Sequence, residues 1–302
     1  RDDDVGHARD GGKPRRWKYA RWGVLLFVVG CGAVINTLGG VGKWGWNPSP
    51  KVARHDTSFV SGGRRIFVER FAPMPTGLAH LGIHTRHHPA ILVLHSSAGM
   101  LGRGGANVRG WADAFAERGF VAYVVHYFDR TGDTRTDDAR EDTIFPQWTS
   151  TLSDAISFAR ADVDVDSMRV DAFGISLGGY MALALGAADR RVSRLVILSG
   201  GFFDALAPEV RRLPPTLLLH GDADDIVPIA RAHAVDSTLS RLGVPHALVV
   251  YPGGSHGLDD DLEPDAIKRS VLFLEASHAR EGAVRALSGE NHAGFPIPHH
   301  GS

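Results

Sequence analysis

Cysteine is nearly missing from this 302-residue chain: Cys31 is the only one. A lone thiol excludes an intramolecular disulfide and any cysteine-built zinc centre, and it leaves the redox compartment unread. Net charge is nearly missing too. Lysine and arginine total 33 against 34 acidic residues, a formal charge of −1, so the composition gives no electrostatic reason to expect nucleic acid as a partner. No internal repeat is visible. What is present is ordinary globular material, 43% hydrophobic and 22% charged, enough for a full-sized core in one large or two small domains. Histidine is plentiful, at 16. His80, His84, His87 and His88 crowd together before an expected strand and could hold a metal at the surface, although solvated loop histidines are the commoner arrangement.

Residues 1–21 form a polar tail carrying Lys13, Arg15, Arg16, Lys18 and Arg21, and residues 22–42 then run without a charge. At about 1.5 Å per residue a helix of that length covers about 30 Å, the hydrocarbon thickness of a bilayer. Trp44 and Trp46 suit a membrane–water boundary, and the basic flank puts the N-terminus on the cytoplasmic side. Three readings stand side by side: an uncleaved anchor that leaves the following domain extracytoplasmic; a signal peptide cleaved near the Gly-rich 39–45; and a lipoprotein signal. The last rests on Val28-Val29-Gly30-Cys31, which resembles a lipobox with Cys31 as the lipidated residue. A buried soluble helix fits poorly, because six glycines in the segment would weaken it in water.

Residues 47–50 (Asn-Pro-Ser-Pro) read as a linker into a domain spanning 55–283, and the Gly-, His- and Pro-rich residues 284–302 read as a disordered tail. Within the domain, 57–61 and 65–71 look like a hairpin across Gly62-Gly63. Short apolar runs at 91–94, 121–125, 170–173, 195–198, 216–219 and 247–251 look like buried strands. Helical segments lie between them: 107–118 with Trp111, Ala114 and Phe115 on one side, and 143–161 with Trp148, Leu152 and Ile156. Such alternation implies an α/β fold with a mostly parallel central sheet and helices on both faces.

The strongest chemical signal is Gly174-Ile175-Ser176-Leu177-Gly178-Gly179. It follows a strand and opens an apolar helix, the context that a G-x-S-x-G nucleophile elbow requires. The turn leaves no room for side chains at its flanks, and it lifts the Ser176 hydroxyl above the sheet. The Leu177 amide at the helix start can hold an oxyanion. A serine needs a base, and a histidine base needs an acid to orient it. After the strand at 216–219 come His220-Gly221-Asp222-Ala223-Asp224-Asp225; after the strand ending at Tyr251 come Ser255-His256-Gly257. Both stretches fall at carboxyl ends of strands, where open α/β sheets carry their sites. The chain order Ser, Asp, His is that of the α/β-hydrolase fold, with three aspartates competing for the acid.

These segments resemble the dienelactone hydrolase family and its esterase and thioesterase relatives over about residues 55–283. The family's G-x-x-D-x-x-V-P pattern falls on Gly221, Asp224, Val227 and Pro228, which selects Asp224; its histidine pattern falls on Gly254 and His256-Gly257. The resemblance also implies a second oxyanion donor from the loop after the 91–94 strand, the Ser97 amide, with His95 as a structural residue behind that loop. Three departures bear on substrate. The nucleophile is Ser176 where dienelactone hydrolases proper use cysteine; Ser96 stands where they carry a glutamate; and Asp260 stands where an arginine holds the substrate carboxylate. Arg140 matches the other substrate-binding arginine loosely, and it, Arg130 and Arg135 otherwise read as a solvated loop. The implied activity is hydrolysis of a small, uncharged ester or lactone, without metal or organic cofactor. A thioesterase or peptidase on the same fold and an inactive membrane-tethered binding protein are the alternatives.

Overall fold

The computed structural model describes residues 46–74 and 87–276. The basic tail, the charge-free segment 22–42 with its readings as anchor, signal or lipidation site at Cys31, His80 and His84, and the tail 284–302 all lie outside the described residues. Among the described residues, no helix is long and apolar enough to cross a membrane.

Eight strands make one sheet: β1 (Val52–Ser61), β2 (Arg64–Pro73), β3 (His88–Leu94), β4 (Val121–Val125), β5 (Val165–Ile175), β6 (Val192–Leu198), β7 (Thr216–Gly221) and β8 (His246–Tyr251). Their spatial order is β1-β2-β4-β3-β5-β6-β7-β8. The β1–β2 hairpin and the β2–β4 pairing are antiparallel, and every other pairing is parallel. The hairpin falls at Gly62-Gly63 as expected, both glycines having positive φ (50° and 78°), which a tight turn demands.

Parallel strands need crossover helices, and here they cover both faces. Helices α1 (Gly102–Glu117) and α5 (Glu263–Glu275) pack on one face; α2 (Asp138–Arg160), α3 (Leu177–Ala188) and α4 (Ala230–Leu242) pack on the other. In α1, Val108, Trp111, Ala112 and Phe115 repeat at three- and four-residue spacing and are buried, the stripe a sheet-facing helix needs. Trp111 stacks on Phe173 of β5 with ring centroids 4.3 Å apart. On the opposite face Trp148, Leu152 and Ile156 of α2 are fully buried, and the Trp148 indole N–H donates to Thr131 Oγ1 at 3.0 Å. Helix α3 is apolar nearly all round because it lies on the middle of the sheet, against β5 and β6.

Two expectations change. Trp46 does not stand apart as an interfacial anchor. Its indole N–H donates to Asp113 of α1, its ring meets Phe71 edge-on at 6.1 Å, and the Arg54 guanidinium lies 5.2 Å from its centroid. Once a carboxylate satisfies the N–H and apolar and cationic groups cover the faces, the domain itself is the better partner for this side chain. Residues 47–50 are likewise tied down, since the Ser49 carbonyl accepts from the Arg54 guanidinium at 3.1 Å. Strand β1 accordingly opens at Val52.

Candidate active site

Helix α3 starts directly after Ser176, whose backbone has φ 56° and ψ −124°. A non-glycine residue at positive φ is strained by on the order of 1–3 kcal/mol and persists only where its surroundings over-determine it. Here they do. The Ser176 amide donates to the Leu198 carbonyl of β6 at 2.9 Å, and its own carbonyl accepts from the Gly179 amide at 2.8 Å. The flanking glycines have no alternative. A Cβ on Gly174 would lie 2.0 Å from the Gly178 carbonyl oxygen, and one on Gly178 would lie 2.2 Å from the Leu94 carbonyl oxygen.

The strand order places the remaining groups. Asp224 follows β7, the second strand beyond β5, and His256 follows β8, the third. All three side chains meet above the carboxyl ends of the strands. His256 Nε2 lies 2.9 Å from Ser176 Oγ, while Nδ1 lies 2.9 Å from Asp224 Oδ2 and 3.0 Å from Oδ1. An ionised carboxylate only accepts, so Nδ1 carries the proton and Nε2 is left to accept from the serine hydroxyl.

Asp224 is buried, whereas Asp222 and Asp225 are exposed. Burial pushes the Asp224 carboxyl upward. The Val227 amide, His256 and the Ile226 amide outweigh that push and hold it below the ordinary carboxylate range. Its Oδ1 accepts from Val227 at 2.8 Å and from Ile226 at 3.0 Å. Asp222 instead accepts from the Gly253 amide at 2.6 Å and braces the neighbouring loop.

The loop after β3 is clamped through its carbonyls. Tyr127 donates its hydroxyl proton to the His95 carbonyl at 2.7 Å; His95 Nδ1–H and the Gly99 amide donate to the Ser96 carbonyl, each at 2.9 Å; and the Thr136 amide donates to the Ser97 carbonyl at 3.0 Å. His95 is stacked on Tyr127, with centroids 4.1 Å apart. Burial pushes its pKa down to about 3, which keeps the ring neutral. It acts from behind the loop and does not meet the serine.

Ser97 and Ser176 line one cleft of about 470 Å³, together with Ser96, Arg103, Asn107, Ile226 and His256. Leu177, the first residue of α3, is adjacent to Ser176, and the first amides of a helix have no intrahelical acceptor. Arg140 falls in the first turn of α2, and its side chain lies outside the described residues. Arg130 donates to the Gly62 carbonyl at the hairpin turn, at 2.7 Å, rather than facing the cleft. Among the described residues there is no cluster of three or more histidine, cysteine or acidic side chains suited to a metal; His88 Nδ1–H is committed to the Gly119 carbonyl at 2.8 Å.

Sequence reasoning missed three residues around the site. Arg103, on the first turn of α1, lines the cleft and lies 3.8 Å from Asp260. Ser199 sits at φ 51°, fully buried, and its hydroxyl accepts from the Gly257 amide next to His256 at 3.1 Å. His220 lies 3.3 Å from Asp224 Oδ2; it opens the acid-bearing stretch in the sequence, which was the one available signal.

The model of the dienelactone hydrolase family matches residues 79–284. A curated relative from Emericella nidulans, named a probable dipeptidyl-peptidase 5, is 26% identical over 57% of this chain. This chain spans only 29% of that protein's length. Among solved structures, a Klebsiella pneumoniae protein assigned as a dienelactone hydrolase superposes with a TM-score of 0.63 at 17% identity, over 75% of this chain and 99% of that one. Thermogutta terrifontis esterase 2, in a form phosphoramylated by tabun, superposes with a TM-score of 0.58 at 18% identity, over 76% and 95%. At these identities the two structures establish the shared fold.

Proposed function

This chain belongs to the dienelactone hydrolase family, and from that membership we propose that it is a serine hydrolase that cleaves a small, uncharged carboxylic ester or lactone through an acyl-enzyme. The observation that carries this reading is the unbroken hydrogen-bond chain from Asp224 through His256 to Ser176, with both links 2.9 Å long. In the first step His256 Nε2 takes the Ser176 hydroxyl proton as Oγ attacks the ester carbonyl. The Leu177 and Ser97 amides receive the oxyanion, each donor contributing about 3–4 kcal/mol to the transition state. His256 then protonates the departing alkoxide, and the ester C–O bond breaks to leave acyl-Ser176. Water, deprotonated by the same nitrogen, attacks the acyl carbon and returns the serine. Asp224, held ionised, stabilises the imidazolium and fixes its tautomer.

The preference for an uncharged substrate is motivated by the cleft wall. Asp260 occupies the position where the family's carboxylate-binding arginine falls, and it sits beside Arg103, the cation that lines the cleft. Asp259 lines it too, so the rim offers an anionic substrate little net attraction. Ser176→Ala is expected to abolish hydrolysis of p-nitrophenyl acetate with melting temperature unchanged; undiminished hydrolysis would sink the reading.

The peptidase name of the Emericella relative favours one second reading, an acyl transfer from amides on the same triad, and parallel ester, thioester and peptide assays separate the two. A binding protein without catalysis would not react with a fluorophosphonate probe. We also propose that residues 22–42 tether or export the domain, on the strength of their length and lack of charge. Cell fractionation and the mass of the mature chain distinguish anchor, cleaved signal and lipidation at Cys31.

A further inference from the structure

Behind the triad lies a second histidine that the hydrolytic steps leave unused. His220 is the penultimate residue of β7 and is 1% exposed. Its Nε2 lies 2.8 Å from the Val227 carbonyl oxygen. A carbonyl can only accept, so Nε2 bears the proton and donates it there. The same nitrogen lies 3.3 Å from Asp224 Oδ2. Burial lowers the pKa of the ring below the ordinary histidine value, against the opposing pull of the Val227 carbonyl and of Asp224. Burial thus favours the neutral ring, whose contact with the carboxylate is that of an N–H dipole. The other titratable groups acting on it are His256 and His233 of α4.

The consequence lies in the loop. Val227 donates its amide to Asp224 Oδ1 at 2.8 Å while its carbonyl is gripped by His220. The residue is thus held at both ends, once by the acid it orients and once by the strand that carries the loop. Resting on the hydrolase reading, we propose that His220 is a positioning residue: its Nε2–H locks the 224–227 turn so that the Asp224 carboxylate meets His256 Nδ1 squarely. A ring that merely filled space would be replaceable by an apolar side chain of like size. A donor that holds Val227 is not, because the carbonyl would be left buried and unpaired. The turn would then relax, and misplacement at a triad is felt chiefly in the rate.

The test compares His220→Met, which fills the space without a donor, with His220→Gln, whose side-chain amide can still donate. Each is measured for kcat and KM on p-nitrophenyl acetate, labelling of Ser176 by a fluorophosphonate probe, melting temperature, and the low-field proton resonance of His256 Nδ1. His220→Met is expected to lower kcat and the labelling rate by roughly tenfold to hundredfold, with KM nearly unchanged and the resonance moved upfield. His220→Gln is expected to recover most of each. No loss in His220→Met, an equal loss in both variants, or failure of both to fold makes His220 a packing residue and overturns the assignment. A wild-type chain that neither hydrolyses nor labels refutes the hydrolase reading instead. The resonance then decides alone: displaced by Met and restored by Gln it supports the role of His220, and unmoved it overturns it.

Discussion

Replacing Asp224 with asparagine changes the charge at the centre of the site while leaving its shape, and the hydrogen bonds dictate how the imidazole responds. Asp224 Oδ1 accepts from the amides of Ile226 and Val227. The two amide donors, 2.8 and 3.0 Å away, outweigh the His220 N–H 3.3 Å from Oδ2, so the asparagine carbonyl occupies the Oδ1 side and its NH2 takes the place of Oδ2. That position is 2.9 Å from His256 Nδ1. Facing a donor, Nδ1 becomes the unprotonated nitrogen, and Nε2 then bears the proton and points it at Ser176 Oγ, 2.9 Å away. The ring sits in the right place in the wrong tautomer and cannot accept the serine proton. The loss expected for such a reversal is about 10⁴-fold in kcat, or about 5.4 kcal/mol, with KM little changed because no group touching the substrate has moved. Steady-state hydrolysis of p-nitrophenyl acetate by Asp224→Asn, beside Asp222→Asn and Asp225→Asn, is the assay. The two controls carry exposed carboxylates away from the imidazole and should keep near wild-type rates. An Asp224→Asn protein with more than about a tenth of wild-type kcat, less than about 1.4 kcal/mol of barrier, would refute this orientation of the amide, as would an equal loss in either control.

Two further substitutions probe the scaffold. Asp171 of β5 is fully buried, and burial pushes its pKa up to about 7 against the lowering influence of Arg194 and Arg169. The folded state thus holds a proton that the unfolded chain has already released near pH 4, so Asp171 should cost stability progressively as pH rises from about 4 to about 7, on the order of 4 kcal/mol in full. Asp171→Asn should therefore raise the melting temperature at pH 8 more than at pH 4; a gap independent of pH would count against it. Gly178→Ala would set a Cβ 2.2 Å from the Leu94 carbonyl oxygen and 2.7 Å from that of His95. Backbone cannot yield as a side-chain tip can, so the elbow and the loop after β3 must part. Labelling by a fluorophosphonate should vanish and the melting temperature should fall; a fully reactive variant would mean that the close approach of α3 to β3 does not shape the site.

Local sterics and periodicity are written residue by residue, and so much of this fold is legible without coordinates. The glycines around Ser176 announce a turn that admits no side chains, the apolar runs mark the parallel strands, and the 3.6-residue stripe of Trp111 and Phe115 marks a helix on the sheet. Boundaries are less legible: β5 extends back to Val165 through the exposed Arg169 and Met168, where no apolar run signals a strand. Interactions across the chain are not legible at all. Trp46 finds Asp113 only because α1 lies over the β1–β2 hairpin, and Arg103 meets Asp260 only because α1 and α5 share a face.

By itself, then, the sequence determined a serine at a tight strand–helix turn and a set of carboxyl ends on which an acid and a base could sit. From residues alone Asp222, Asp224 and Asp225 were equal candidates, and only resemblance to a family chose among them. Tertiary structure decided that Asp224 turns inward to two amides and an imidazole while its neighbours face solvent, that His220 donates to the Val227 carbonyl, and that Ser199 is strained beside Gly257. The physical reason is that the hydrogen bonds of His256 to Asp224 and Ser176, and of the Gly257 amide to Ser199, depend on the order in which β5, β6, β7 and β8 lie in the sheet, and strand order is a property of the packed core that no local spacing encodes.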